Sequence, residues 1–192
     1  MDDLEKEYRE ELGALMRAIS ITNIIKQDTV PSQIEEGLFL GSVGASRDVT
    51  GLKKLNITHI LTLSCTLPPA SPDDFTYKVI HVMDRGDTNI SQYFDECIDF
   101  IDEAKRKGGG VLVHCFVGKS RSVTIVVAYL MKKRGMSLSQ ALDYVKSRRH
   151  QASPNYGFLK QLKEFEQSLR GEETQAKILT QSVKDLSMKT CQ

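Results

Sequence analysis

Residues 114–122 read His114-Cys115-Phe116-Val117-Gly118-Lys119-Ser120-Arg121-Ser122. Before them stands Val111-Leu112-Val113, an apolar run of strand length, and after them the chain is strongly apolar from Ser122 to Arg134, a helical length. A strand thus ends at a cysteine, a short loop follows, and an arginine stands where a helix begins. Taken from the residues alone, that layout builds a site for an anion. Successive backbone N–H groups of a tight loop point inward, and the positive end of a helix dipole adds to them. Gly118 permits a turn that a side chain would obstruct. Arg121 can grip two phosphate oxygens with its planar fork. Phe116, Val117, Gly118, Lys119 and Ser120, with Arg121, are therefore the candidate phosphate cradle.

The field that recruits a phosphate dianion also favours a thiolate at Cys115, so the site makes its own nucleophile. Ser122 can donate a hydrogen bond to the sulfur and help it leave when a phosphocysteine is hydrolysed. His114 reads as a group that holds the loop, because a thiolate stabilised in this way needs no base. The pattern HCxxGxxRS should arise by accident in on the order of one in 10⁵ chains of this length. That outweighs the alternative of a lone cysteine as a small buried hydrophobe.

Working outward, Gln33 to Gly41 (QIEEGLFLG) predicts a short strand pair turning at Glu36-Gly37, and His59 to Ser64 and Tyr77 to Val82 predict further strands. Helices are expected over 4–27, 46–55 and 90–107, after Ser137 as an N-cap, and from Pro154-Asn155 onward. Strands alternating with helices predict an α/β fold with a central, mostly parallel sheet of about five strands flanked by helices. The loop at 115–121 should lie at a strand's carboxyl end. Three segments follow: an amphipathic helical extension over 1–31, a catalytic domain over 32–170, and a polar, mobile tail over 171–192.

The bulk numbers narrow the function class. A net charge of +1 on 192 residues gives no global attraction to nucleic acid or to an anionic membrane, so an anionic substrate must be bound by a local site. No apolar run is long enough to span a membrane, and the acidic start Met1-Asp2-Asp3-Leu4-Glu5 does not resemble a signal peptide. Cys65, Cys97, Cys115 and Cys191 are scattered, without zinc spacing, which suits a reducing compartment: cytoplasm, with the nucleus open as well. No metal or other cofactor is expected, since thiolate, arginine and backbone dipoles already handle the charge.

HCFVGKSRSVTIVVAYLMKK resembles the signature of the dual-specificity phosphatases of the protein tyrosine phosphatase superfamily. The likeness covers about residues 33–170, including LFLGS, THILTLS, NISQYFDECIDFIDEA and SPNYGFLKQL. It implies a single-domain, protein tyrosine phosphatase-like fold that hydrolyses phosphotyrosine and phosphoserine or phosphothreonine in proteins, with MAP kinase activation loops as the substrate class. It also places a general acid upstream of the NISQYF helix, at Asp84, which would protonate the leaving oxygen and then activate water. Asp87 is the rival and is better suited to cap that helix. Asp73 and Asp74 read as solvated loop residues.

Lys119 occupies a position where lipid phosphatases of the superfamily also carry a lysine, so a phosphoinositide substrate is the alternative; a solvent-facing rim charge is the simpler reading. A non-catalytic phosphoprotein-binding module is a further alternative. In some relatives a cysteine placed like Cys65 forms a reversible disulfide with the nucleophile; otherwise Cys65 is an ordinary buried thiol. Cys97 reads as core and Cys191 as an exposed tail thiol. Leu15, Ile19 and Ile24, with Arg17 and Lys26 nearby, could serve as an amphipathic helix for calmodulin or another groove-bearing partner, or simply pack on their own domain. Arg148-Arg149 and Lys132-Lys133 are short basic pairs that form no clear nuclear import signal.

Overall fold

Gly110–His114 is buried along its whole length and forms the middle strand of a five-stranded sheet. A strand covered on both faces has to be apolar throughout, which Val111-Leu112-Val113 satisfies. The computed structural model describes residues 2–189. In chain order the elements are α1 (Asp2–Gln27), β1 (Ser32–Glu35), β2 (Leu38–Gly41), α2 (Val49–Lys54), β3 (Ile57–Leu63), β4 (Thr76–Ile80), α3 (Phe94–Arg106), β5 (Gly110–His114), α4 (Arg121–Arg134), α5 (Leu138–Arg148) and α6 (Tyr156–Lys189). The strand order is β1-β2-β5-β3-β4. Only β1 is antiparallel to its neighbour; β2, β5, β3 and β4 run parallel. The mostly parallel α/β sheet of five strands read from the sequence is the sheet observed.

Alternate side chains of each strand enter two cores. Leu38, Leu40, Val111, Val113, Leu61 and Leu63 face the larger one, with α3, α4 and residues of α5 and α6. Phe39, Leu112 and Ile60 face the smaller one, with Leu52 of α2 and Phe75. Helix α4 runs through the larger core and is buried continuously from Ser122 to Met131, which explains its apolar sequence. It stops at Gly135, in the left-handed conformation with φ 63°. Ser137 then opens α5 with a capping box to Gln140.

Two expectations need correction. The helix read over 46–55 is a 3₁₀ turn, Ala45–Arg47, followed by α2, because Asp48 interrupts it and caps α2 by accepting from Gly51 N–H at 2.9 Å. The helix read from Ile90 begins as a 3₁₀ turn, Ser91–Tyr93, before α3. Helix α6 runs through residue 171 to Lys189. Cys191 lies outside the described residues, as do the side chains of Leu4, Arg17 and Ile24.

Candidate active site

The chain leaves the sheet after His114, at the carboxyl edge of β5, and re-enters regular structure at Arg121, the first residue of α4. Between them each carbonyl is held from outside. Cys115 O accepts from His114 Nδ1 at 3.2 Å and Phe116 O from Val43 N–H at 3.1 Å. Val117 O accepts from Arg149 Nη2 at 3.1 Å and Gln151 Nε2 at 3.3 Å, and Gly118 O from Arg149 Nε at 2.6 Å. Lys119 O accepts from Ser153 N–H at 2.8 Å, and Ser120 O from both Thr124 N–H and its hydroxyl at 2.9 Å. The two polar groups of a trans peptide point in opposite directions, so carbonyls anchored outward turn the amides toward the loop's centre.

Cys115 sits at that centre, 1% exposed. Gly118 N–H donates to its Sγ at 3.3 Å, and Ser122 Oγ lies 3.3 Å from it on the first turn of α4. Gly118 has φ +70°, and a Cβ there would collide with the Gly41 carbonyl and the Arg149 guanidinium. The glycine is required by conformation and by space. Lys119 is exposed at the rim.

His114 is 3% exposed, and burial pushes its pKa down to about 4, so the ring is neutral at physiological pH. A carbonyl can only accept, so the proton resides on Nδ1, facing Cys115 O. Nε2 then accepts from the Thr62 hydroxyl at 2.8 Å. Both ring nitrogens are thereby used to tie the start of the loop to β3. Cys97 is a buried core thiol, which burial pushes up to about 12.

Arg121 donates through Nη1 to Val82 O at 3.3 Å. Its Nε is buried without a hydrogen-bond partner, although Asp84 Oδ2 lies 3.5 Å away, because the two are in ion-pair range without hydrogen-bond geometry. An unused, buried guanidinium donor beside a ring of inward amides suits an oxyanion. Among the described residues no cluster of three or more His, Cys, Asp or Glu side chains could hold a metal ion.

Asp84 lies on the loop after β4, and Oδ1 accepts from Ser120 Oγ at 2.7 Å and Asn155 Nδ2 at 3.0 Å. Asp87 does not share this place. It pairs with Arg85 at 2.8 Å, and both side chains are about two-thirds exposed, at 68% and 66%. Nor does it cap the following helix: Asn89 Oδ1 takes Ser91 Oγ at 2.9 Å and Gln92 N–H at 3.3 Å instead. Cys65 is exposed, which removes the reading of it as a buried thiol.

Four residues that carry the site were not singled out in the sequence. Arg149, 5% exposed, braces the loop 115–121 from behind; beside the exposed Arg148 it looks like half of a surface pair. The other three lie in SPNYGFLKQL. Asn155 caps α6 by accepting from Phe158 N–H at 2.9 Å while holding Asp84. Gly157 lets the Gly86 carbonyl approach so closely that no Cβ would fit. Gln161 accepts from Ile90 and Ser91 N–H at 2.9 and 3.0 Å and donates to Thr88 O at 2.9 Å. The start of α6 is thus a clamp on the loop that carries Asp84. The motif's regularity was the available signal, but its purpose depends on a loop seventy residues away in sequence.

The family described as dual specificity phosphatase, catalytic domain, matches residues 38–168. The chain is 58% identical over 170 residues to dual specificity protein phosphatase 1 of Arabidopsis thaliana, covering 88% of this chain and 86% of that one. It is 48% identical over 145 residues to human dual specificity protein phosphatase 9, covering 74% of this chain but 38% of the relative. Among solved structures, DUSP15 superposes with a TM-score of 0.69 at 38% identity, over 74% of this chain and 93% of that one. The human tyrosine phosphatase-like serine/threonine/tyrosine-interacting protein superposes with a TM-score of 0.68 at 36% identity, over 71% and 95%.

Proposed function

Because this chain belongs to the dual specificity phosphatases, and is therefore a cysteine-based protein phosphatase, we propose that it hydrolyses phosphotyrosine and phosphoserine or phosphothreonine through a phosphocysteine on Cys115. The observation that carries the mechanism is the convergence on one loop of the buried Cys115 sulfur, the unpartnered Nε of Arg121 and the Asp84 carboxyl.

The phosphate dianion enters the ring of amides and takes the free donor of Arg121, which releases Asp84 Oδ2 from its charge partner. Asp84 Oδ2, so released, takes a proton from solvent; the Cys115 thiolate attacks phosphorus as the ester P–O bond breaks, and the leaving oxygen receives that proton. Water then attacks the phosphocysteine, giving its proton to the Asp84 carboxylate. The S–P bond breaks, inorganic phosphate leaves, and Ser122 donates to the departing sulfur. The side chain of Lys119 stays exposed, while its backbone N–H belongs to the ring of amides.

We assign MAP kinase activation loops as the substrate class on the family resemblance of HCFVGKSRS and SPNYGFLKQL. The test is phosphate release, without added metal, from a doubly phosphorylated activation-loop peptide and from a soluble phosphoinositide. Release from both peptide positions supports the assignment. Release mainly from the phosphoinositide makes Lys119 a specificity determinant, and release from neither brings back a binding module.

A groove-bearing partner such as calmodulin is a separate expectation, supported by the exposure of Tyr8, Leu12, Leu15, Met16 and Ile19 on α1. A calcium-dependent shift of a peptide spanning residues 10–28 on adding calmodulin would support it, and no shift at micromolar calmodulin would end it.

A further inference from the structure

Arg149 has a second set of partners besides the catalytic loop. Its Nη2 donates to Asp28 Oδ2 at 2.6 Å and its Nη1 to Asp28 Oδ1 at 3.2 Å, a fork-on-fork pair, while Nη1 also lies 3.4 Å from Ser32 Oγ. The pair is shielded, with side-chain exposures of 4% for Arg149 and 20% for Asp28. Asp28 directly follows α1 and lies outside the matched family domain, which begins at residue 38. Its backbone is tied to the same region: Asp28 O accepts from Ser42 Oγ at 3.1 Å, Ser42 Oγ accepts from Gly44 N–H at 3.1 Å, and the neighbouring Val43 N–H holds Phe116 O.

We propose that Asp28 is a positioning residue of the catalytic loop, acting through Arg149. This rests on residues 115–121 being an oxyanion site. A guanidinium has a fixed fork of donors, so two of its nitrogens held by a carboxylate fix the plane and direction of the rest. With Asp28 in place, Nε and Nη2 are aimed at the carbonyls of Gly118 and Val117, which keeps the amides of those peptides turned toward Cys115. Without it, a buried cation keeps only neutral partners and is free to tilt toward water. The segment before residue 32 thereby completes a catalytic loop to which it contributes no reacting atom.

Two effects of removing Asp28 oppose each other, which gives the test its sign. Deleting a negative charge near a site for a dianion tightens phosphate if electrostatics alone matters. Loss of positioning weakens it. Phosphate affinity, read by calorimetry with inorganic phosphate, and turnover of an aryl phosphate are measured on the full chain at a temperature where circular dichroism shows each variant folded. Asp28→Asn is expected to weaken phosphate and lower kcat by about tenfold, and Asp28→Glu, which keeps the charge on a longer stem, to fall between it and wild type. In an Arg149→Met background Asp28→Asn is expected to add nothing further. Phosphate bound equally well or tighter by Asp28→Asn overturns the proposal, as do independent, additive effects of the two substitutions. If Asp28→Asn does not fold, Asp28→Glu decides: weaker phosphate supports the proposal and wild-type affinity overturns it. A wild type that binds no phosphate overturns the oxyanion reading and this proposal together.

Discussion

Asn155 joins Asp84 to the loop 115–121: its side-chain amide donates to Asp84 Oδ1 at 3.0 Å while its backbone N–H donates to Ser120 Oγ at 3.2 Å. Ser120 Oγ in turn donates to the same Asp84 oxygen at 2.7 Å. The proposed acid is therefore set against the proposed nucleophile's loop by a three-membered polar ring, and α6 supplies the member that can be changed without touching the reacting groups. Asn155→Asp keeps the cap on Phe158 N–H but removes the donor to Asp84 and adds a like charge. It should lower kcat about tenfold for phosphate esters with poorly acidic leaving groups and much less for p-nitrophenyl phosphate, which needs little protonation. Equal losses on both esters would argue against an effect on acid catalysis.

Gly157 tests the same clamp sterically. A Cβ there would strike the Gly86 carbonyl, and backbone cannot swing aside as a flexible side chain can. Gly157→Ala should destabilise the fold by roughly 1–3 kcal/mol, seen in urea unfolding, and should reproduce the leaving-group dependence of Asn155→Asp. Wild-type stability and kinetics would show that the loop before α3 yields freely.

His114 gives a pH signature in stability. Its folded pKa is depressed to about 4, whereas the unfolded chain binds the proton near 6.5, so the unfolded state takes up more protons between those values. The stability contributed by the neutral buried ring is present above pH 6.5 and is lost as pH falls toward 4, about 3 kcal/mol over the window. Chemical denaturation of wild type and His114→Asn should therefore show the wild-type advantage shrinking on acidification. A difference independent of pH would contradict a buried neutral imidazole.

Glu35 lies at the opposite end of the sheet, where it binds Lys105 and, at 2.9 Å, Arg134. It is 13% exposed, and these hydrogen bonds hold its carboxyl below the usual range although burial pushes the other way. Glu35→Gln leaves two cations without their counter-charge and should cost about 2 kcal/mol, less than a fully buried pair because Arg134 is half-exposed. Steady-state kcat/KM should not change, and a loss of activity matched to the loss of stability would show that the two ends of the sheet are coupled.

The sheet was legible because its signals are local. Val111-Leu112-Val113 and HILTLS are apolar at strand length, and the apolar run after Arg121 can only be a buried helix. The proposed phosphate loop was legible because its chemistry fixes several residue types within nine positions. What stayed hidden depends on tertiary placement. Nothing local separates the buried Arg149 from the exposed Arg148, and Asp87 looked like a cap until Asn89 was seen to hold that place. Asp28 needed the fold to bring it to Arg149, 121 residues along the chain.

The central claim is that phosphate passes through Cys115. Rapid-quench turnover of a doubly phosphorylated peptide, followed by mass spectrometry of the digested enzyme, reads that step directly. A phosphoryl group on the peptide containing Cys115, appearing before free phosphate and absent from Cys115→Ser, is the result expected. Undiminished turnover by Cys115→Ser, or a phosphoryl group on any other residue, would contradict it.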